Sequence, residues 1–164
     1  MTRLSWITMG ALLLGAAAAH AGPCKLNIES NDQMQFSTRE LAVPPGCTEV
    51  ELTLRNVGKL PARVMGHDWV LSRESDMIAV VNAGLTAGLA SGFVPPNDQR
   101  VIAATHLVGG GESTTIQFST AALVPGERYS FFCTSPGHSA VMRGRLIFGE
   151  GRLAQAGKVA ARAQ

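Results

Sequence analysis

Hydrophobic and polar residues alternate along most of the chain. In residues 49–55, Val50, Leu52 and Leu54 are separated by polar side chains, as in a strand with one buried face. We predict further strands at 35–43, 64–71, 113–118, 128–133 and 144–148, separated by turns rich in glycine and proline. The pattern therefore predicts a series of short antiparallel strands.

One segment departs from this alternation and has helical spacing. Its apolar positions are Met77, Val80, Val81, Leu85 and Leu89. Ser75 is a candidate N-cap, and Gly88 is a candidate stop signal. Together with the strands, this segment predicts an all-β fold, a Greek-key β-sandwich with one inserted α-helical flap.

The first 21 residues have the pattern of a signal peptide. Arg3 supplies a positive charge, residues 7–19 are apolar but too short to span a bilayer, and residues 19–21 read Ala-His-Ala. We expect the mature chain to begin near Gly22, without a lipid anchor, because proline and not a small residue precedes Cys24. The sequence thus predicts a periplasmic protein without a membrane span.

The remaining chain has the size of one domain and little net charge. We divide it into a domain at 22–148 and a C-terminal extension at 149–164, which lacks strand alternation and is expected to be mobile. Of the formal net charge of +2, the leader contributes +1 and the extension +2, which leaves −1 for the domain. Because there is no basic patch, we exclude nucleic-acid binding.

The chain has three cysteines, an odd number for an oxidising compartment. Cys24 and Cys47 flank the first predicted strand, so a bond between them would hold the N-terminus in place. Cys133 follows two phenylalanines in a strand that we expect to be buried. This placement favours a free thiol at Cys133, although the sequence alone leaves it open as a disulfide partner.

The chemistry of the chain is concentrated in the loop FFCTSPGHSAVM at 131–142. Cys133, His138 and Met142 offer a thiolate, an imidazole and a thioether within ten positions. Copper sites use a cysteine, two histidines and a weak axial methionine. The second histidine would be His67 or His106. We favour His67, because Gly66 beside it allows a close backbone approach.

These motifs resemble those of the azurins, bacterial blue copper proteins of the cupredoxin family. The resemblance runs from Cys24 to about Phe148 and is carried by NDQMQF at 31–36, VMGHDWVLS at 64–72 and FFCTSPGHSAVMRG at 131–144. It implies one type 1 copper ion bound by His67, Cys133 and His138, with Met142 and the Gly66 carbonyl oxygen as axial partners. It also implies a Cys24–Cys47 disulfide.

The resemblance further assigns roles to residues around the copper site. Backbone N–H groups of Asp68 and Ser135 are expected to point at the Cys133 sulfur. The family usually has asparagine and phenylalanine at these two positions, so we expect both differences to alter the reduction potential. The expected apolar docking patch around His138 comprises Met34, Leu60, Val64, Met65, Leu85, Pro136, Gly137, Ala140 and Val141.

We predict a monomeric electron carrier and not an enzyme, because protein ligands would leave no open coordination position for a substrate. Its expected partners are c-type cytochromes and a terminal oxidase or reductase. A copper chaperone or buffer is an alternative function, and a secreted interaction module is a third. Met34, Met65 and Met77 are predicted to be core residues, as is Trp69, and His106 is predicted to be a surface residue.

Overall fold

A computed structural model describes residues 22–149 of the chain. The predicted signal peptide, and the predicted C-terminal extension after its first residue, lie outside these residues. The described part forms nine strands, which are β1 (Cys24–Asn31), β2 (Gln35–Phe36), β3 (Glu40–Val43), β4 (Glu49–Asn56), β5 (Val70–Arg73), β6 (Ala103–Ala104), β7 (Ser113–Ser119), β8 (Tyr129–Phe132) and β9 (Arg143–Phe148).

The strands form two sheets that enclose one main core. The first sheet has the order β2-β1-β4-β7, and the second has the order β3-β9-β8-β5-β6. Residues from both sheets, among them Leu52 and Phe131, are fully buried in the core between them, as is Trp69 just before β5. The structure therefore confirms the predicted fold class, and Trp69 is a core residue as expected.

The prediction that all strands are antiparallel was wrong. Strand β1 pairs in parallel with β4, where Ile28 lies opposite Leu54, and β3 pairs in parallel with β9. Alternation shows which face of a strand is buried, but it does not identify the neighbouring strand. Parallel partners must be joined by long connections, so local turn signals cannot reveal them.

Several predicted elements also differ from the structure. Residues 64–71 do not form one strand: α1 (Ala62–Met65) is a short helix, and β5 begins only at Val70. The predicted strand at 35–43 is interrupted, so that it forms β2 and β3. Strand β1 was not predicted as an element, although its buried Ile28 and Ser30 alternate with exposed neighbours.

The inserted helix is α2 (Met77–Ala87), and it ends at Gly88 as predicted. Gly88 has φ of 75°, a left-handed conformation that glycine adopts without a steric penalty. Ser75 does not cap the helix, because the N-cap position is Asp76 and no side-chain bond is formed there. Met77 and Val80 pack against Val70 and Phe132, which confirms Met77 as a core residue. Between residues 22 and 149, no helix combines the length and the apolar character that crossing a bilayer would require.

Cys24 and Cys47 form the disulfide bond, which confirms the pairing that the family resemblance implied. The two residues are 23 positions apart, and they join the start of β1 to the turn before β4. Cys133 is the free cysteine among residues 22–149, and it is buried. The thiol needed for a metal site is therefore available.

Replacing both Cys24 and Cys47 with alanine is expected to lower the free energy of unfolding by about 3 kcal/mol, because the unfolded chain regains the entropy of an open loop of this size. Denaturant unfolding of the metal-free protein measures this change. A Cys24→Ala, Cys47→Ala variant as stable as the wild type would contradict the expectation. Its metal site should stay intact, because the disulfide lies away from Cys133.

Candidate metal centre

Three potential metal ligands converge at one end of the sandwich. The donor atoms of His67, Cys133 and His138 all lie within 4.8 Å of one another. The Cys133 Sγ atom is 3.9 Å from His67 Nδ1 and 3.6 Å from His138 Nδ1. All three residues are buried. A sulfur and two imidazole nitrogens in this arrangement suit a soft or borderline metal ion such as copper.

The fold brings these residues together from distant parts of the sequence. His67 lies between α1 and β5, where its backbone forms an isolated bridge with Val108. Cys133 directly follows β8, in the middle of the second sheet. His138 begins a 3₁₀ turn, in which the N–H groups of Val141 and Met142 donate to its carbonyl oxygen. A strand end and a tight turn therefore fix the two ligands of the C-terminal loop.

His67 is held with one ring nitrogen turned toward the cluster. Its Nε2 lies 2.8 Å from the carbonyl oxygen of Asn31, which can only accept a hydrogen bond. The proton is therefore assigned to Nε2, and Nδ1 keeps the lone pair that a metal needs. Burial lowers the pKa of His67, against the smaller opposing effects of the Asn31 bond and of Asp32. Burial and then His67 also lower the pKa of His138, so both rings favour the neutral form.

Cys133 is fully buried and keeps its proton in the absence of a metal. Burial, followed by the charge of Asp68, raises the pKa of the Cys133 thiol well above its ordinary value. Hydrogen bonding from the backbone of Asp68 and Ser135 opposes this rise. A bound cation would displace the thiol proton, since metals bind the thiolate. The donor set therefore fits a copper ion chemically.

Met142 and Gly66 lie beside the cluster. The Met142 side chain is fully buried, and its backbone carbonyl accepts from the N–H of Cys133 at 3.0 Å. Gly66 is buried too, and a Cβ atom there would lie 2.4 Å from the Ala62 carbonyl oxygen. Only glycine thus allows the chain to pass this close to α1. The axial roles of Met142 and Gly66 remain predictions.

Asp68 is buried, and no positively charged group among residues 22–149 pairs with it. Its Oδ1 accepts from the backbone N–H of Thr134 at 2.7 Å, and its Oδ2 accepts from the Thr134 hydroxyl. Burial raises the pKa of Asp68 to about 6, although the bonds from Thr134 and from Cys133 lower it. These bonds join Asp68, which follows the candidate ligand His67, to Thr134, which follows the candidate ligand Cys133. A role for Asp68 was predicted from the sequence, but none was predicted for Thr134 or Asn31, because their contributions depend on tertiary contacts.

Ser135 turns its side chain into the protein. It is only 6% exposed, and its hydroxyl donates to the Gly66 carbonyl oxygen at 2.7 Å. The hydroxyl thus joins the loop after Cys133 to the backbone just before His67. Because the hydroxyl faces inward, Ser135 adds little polar surface.

His106 does not belong to the cluster. Its side chain is exposed, as predicted, and it lines an open cavity with Leu89, Thr105 and Leu107. His67 is therefore the histidine that joins Cys133 and His138. The choice between the two candidates, which the sequence left open, is decided by this geometry.

Most residues of the predicted apolar docking patch are exposed. His138 is 8% exposed, whereas Val64 and Val141 are 58% and 51% exposed. Met34 and Met65 are partly buried and belong to neither core cluster of residues 22–149, so the prediction that they are core residues was wrong. The other members, Leu60, Leu85, Pro136, Gly137 and Ala140, are exposed. The use of this patch for docking stays a prediction.

Comparison with known proteins agrees with this site. Residues 22–149 match the model for copper binding proteins of the plastocyanin/azurin family. The chain is 43% identical over 146 residues to azurin from Pseudomonas aeruginosa, covering 89% of this chain and 97% of that protein. It is 44% identical over 138 residues to azurin from Achromobacter denitrificans, covering 83% of this chain and 93% of that protein.

A solved structure of an azurin is similar to this chain as well. The structure of azurin iso-2 from Methylomonas sp. strain J superposes with a TM-score of 0.75 at 41% identity, covering 79% of this chain and all of that chain. The donor cluster, the disulfide and the two-sheet fold support the predicted copper cofactor. By family match, relatives and structure, the chain belongs to the plastocyanin/azurin family of copper binding proteins.

Proposed function

We propose that this protein is a periplasmic type 1 copper protein that carries single electrons between redox partners and catalyses no reaction of its own. The observation that carries the proposal is the buried convergence of the Cys133 sulfur with the Nδ1 atoms of His67 and His138. These three atoms would hold the copper ion, with Met142 Sδ and the Gly66 carbonyl oxygen as weaker axial donors. Copper, when bound, supplies a one-electron couple between Cu(I) and Cu(II).

The contribution of the protein is to keep its ligands in one place in both redox states. The Asn31 carbonyl fixes the His67 ring, and the Cys133 backbone is bonded to Met142. Asp68 joins the two ligand-bearing segments through Thr134. Because these bonds do not involve the metal, they persist when its charge changes, and the ligands need to move little. Small rearrangement favours fast electron transfer.

Electrons would enter and leave through His138. Its ring is almost completely buried, and the exposed Val141 and Ala140 lie in the same loop. A small apolar patch of this kind suits weak, short-lived contacts with another protein. We propose c-type cytochromes and a terminal oxidase or reductase as partners, and a monomeric carrier.

A copper chaperone or buffer is the alternative function. Such a protein needs a site from which copper exchanges readily. Here Cys133 and His67 are fully buried and His138 nearly so, which favours retention of the metal. The three residues thus favour a carrier of electrons over a carrier of copper.

The disulfide supports a location outside the cytoplasm, because such bonds persist in oxidising compartments. We therefore keep the proposal that residues 1–21 are a signal peptide and that residues after 148 form an extension of the domain. Mass spectrometry of the periplasmic fraction would test both boundaries. A chain that retained its leader in the cytoplasm would contradict the proposed location.

Titration of the metal-free protein with Cu(II) tests the function. We expect binding of one copper ion, an intense blue colour, bleaching by ascorbate and return of the colour with ferricyanide. His106→Ala is a matched control, because its exposed histidine lies outside the cluster and its loss should change nothing. A colourless complex would contradict the type 1 site. Loss of copper to a chelator within seconds would favour the chaperone or buffer.

A further inference from the structure

The hydroxyl group of Ser135 contacts the backbone at a position that matters for the metal site. Its Oγ atom lies 2.7 Å from the carbonyl oxygen of Gly66, and Ser135 is only 6% exposed. A carbonyl oxygen can only accept, so the hydroxyl is the donor. The bond joins the segment after Cys133 to the residue before His67.

Neither partner in this bond is free to move away. The backbone carbonyl oxygen of Ser135 accepts from the N–H of His138 at 3.0 Å, which holds Ser135 in the tight loop between Cys133 and His138. Gly66 is confined by α1, because the space beside its Cα is occupied by the Ala62 carbonyl oxygen and by Leu107. The hydroxyl and the carbonyl therefore face each other between two fixed segments of backbone, with water excluded.

We propose that Ser135 is a positioning residue that controls how strongly the Gly66 carbonyl oxygen donates to copper. The inference rests on the proposed copper site, in which this oxygen would be one of the weaker donors. A hydrogen bond withdraws electron density from the carbonyl oxygen and directs one lone pair toward the hydroxyl. The oxygen then stabilises a doubly charged ion less than a free carbonyl would. Ser135 thereby favours the reduced state and raises the reduction potential.

The expected size of the effect follows from the strength of one buried hydrogen bond. Loss of the bond should change the equilibrium between the two oxidation states about two- to tenfold, which equals about 20–60 mV for a one-electron couple. Ser135→Ala should therefore lower the potential by this amount. Ser135→Thr keeps a hydroxyl and should restore the wild-type value.

Ser139→Ala is the matched control. Ser139 lies in the same loop and is also partly buried, but its side chain has no hydrogen bond within residues 22–149. We expect its potential to equal that of the wild type in voltammetry. The copper hyperfine splitting in electron paramagnetic resonance should change with Ser135→Ala and stay constant with Ser139→Ala, because only the former alters the axial oxygen.

A measurement on the metal-free protein tests the bond itself. Hydrogen bonding to a carbonyl moves its ¹³C resonance, so the Gly66 carbonyl signal should shift in Ser135→Ala and return in Ser135→Thr. If Ser135→Ala stays blue with an unchanged potential and hyperfine splitting, this inference is wrong while the copper site stands. If the wild type never turns blue, the proposed function fails first. If Ser135→Ala does not fold, Ser135→Val takes its place, because valine has the shape of threonine but no hydroxyl. Compared with Ser135→Thr, a lower potential and a shifted Gly66 ¹³C signal in Ser135→Val support the proposal, and equal values in the two variants overturn it.

Discussion

Replacing Cys133 with serine is expected to leave the protein colourless when Cu(II) is added, while the sandwich still folds. Cys133 is the free thiol of residues 22–149, and its sulfur lies beside Nδ1 of both histidines. A serine hydroxyl is a hard and weakly acidic donor, whereas the thiolate is the soft ligand that blue copper sites require. The absorption spectrum after addition of one equivalent of Cu(II) measures the loss, and we expect no intense blue band.

Circular dichroism and thermal unfolding of metal-free Cys133→Ser provide the control for folding. Serine is close in size to cysteine and can accept the same backbone bonds, so we expect a loss of about 1 kcal/mol or less. A folded Cys133→Ser variant that still turned intensely blue would contradict the assigned ligand set. The pair Cys24 and Cys47 cannot substitute for the lost thiol, because both sulfurs are in the disulfide.

Much of the fold could be predicted because its strands have one buried face. In β4, burial alternates strictly, with Val50, Leu52 and Leu54 inside, and this pattern is visible in the sequence. The end of α2 could be predicted for a different reason: Gly88 tolerates a positive φ that other residues avoid. Both signals are local, so they need no knowledge of the neighbouring elements.

Features that depend on distant partners could not be predicted in this way. Residues 62–65 form a short helix that lies close to Gly109, where a Cβ would lie 2.7 Å from the Ala62 nitrogen. The apolar Val64 and Met65 suggested a strand instead, although Val64 is exposed on the surface. The parallel pairing of β1 with β4 was missed for the same reason, because long connections leave no local trace.

The candidate site also combines residues that local sequence signals predict with residues that depend on distant partners. Cys133, His138 and Met142 are close in sequence, and their spacing carried the family resemblance. His67 lies 66 positions before Cys133, so the sequence favoured it over His106 only through the neighbouring Gly66 and the family resemblance, and the fold brings it to Cys133. The groups that hydrogen-bond to the ligands are even harder to predict from the sequence. Asn31 acts through its backbone carbonyl, a group that every residue has.

Asp68→Asn is the second change with a large expected effect, here on the stability of the metal-free protein. Burial raises the pKa of the Asp68 carboxyl from 3.8 to about 6. Folding therefore favours the protonated form, and the wild type becomes less stable as the pH rises from about 4 through 6. Since one pKa unit corresponds to about 1.4 kcal/mol, the penalty at pH 8 is about 3 kcal/mol.

Asparagine removes this penalty without losing the bonds to Thr134. Its carbonyl oxygen can accept from the Thr134 N–H as Oδ1 does now, and its amide can donate to the Thr134 hydroxyl oxygen. Metal-free Asp68→Asn should therefore be more stable than the wild type at pH 8 and about equal to it below pH 4. Denaturant unfolding at a series of pH values measures the difference, in which the contributions of His67 and His138 to the wild type and the variant largely cancel.

Asp98→Asn should behave in the opposite way and serves as the control. Hydrogen bonds from Arg100 lower the pKa of Asp98 to about 2, so its charged form stabilises the fold above about pH 4 and that contribution is lost as the pH falls through 2. Neutralising Asp98 should thus destabilise the protein at pH 8, whereas neutralising Asp68 stabilises it. If Asp68→Asn were no more stable than the wild type at pH 8, the ionised carboxylate would have to be stabilised by a counter-charge or a water molecule in addition to its two bonds to Thr134. A gain that develops between about pH 4 and pH 6 and persists at pH 8 would instead identify Asp68 as a buried charge that lowers the stability of the metal-free fold.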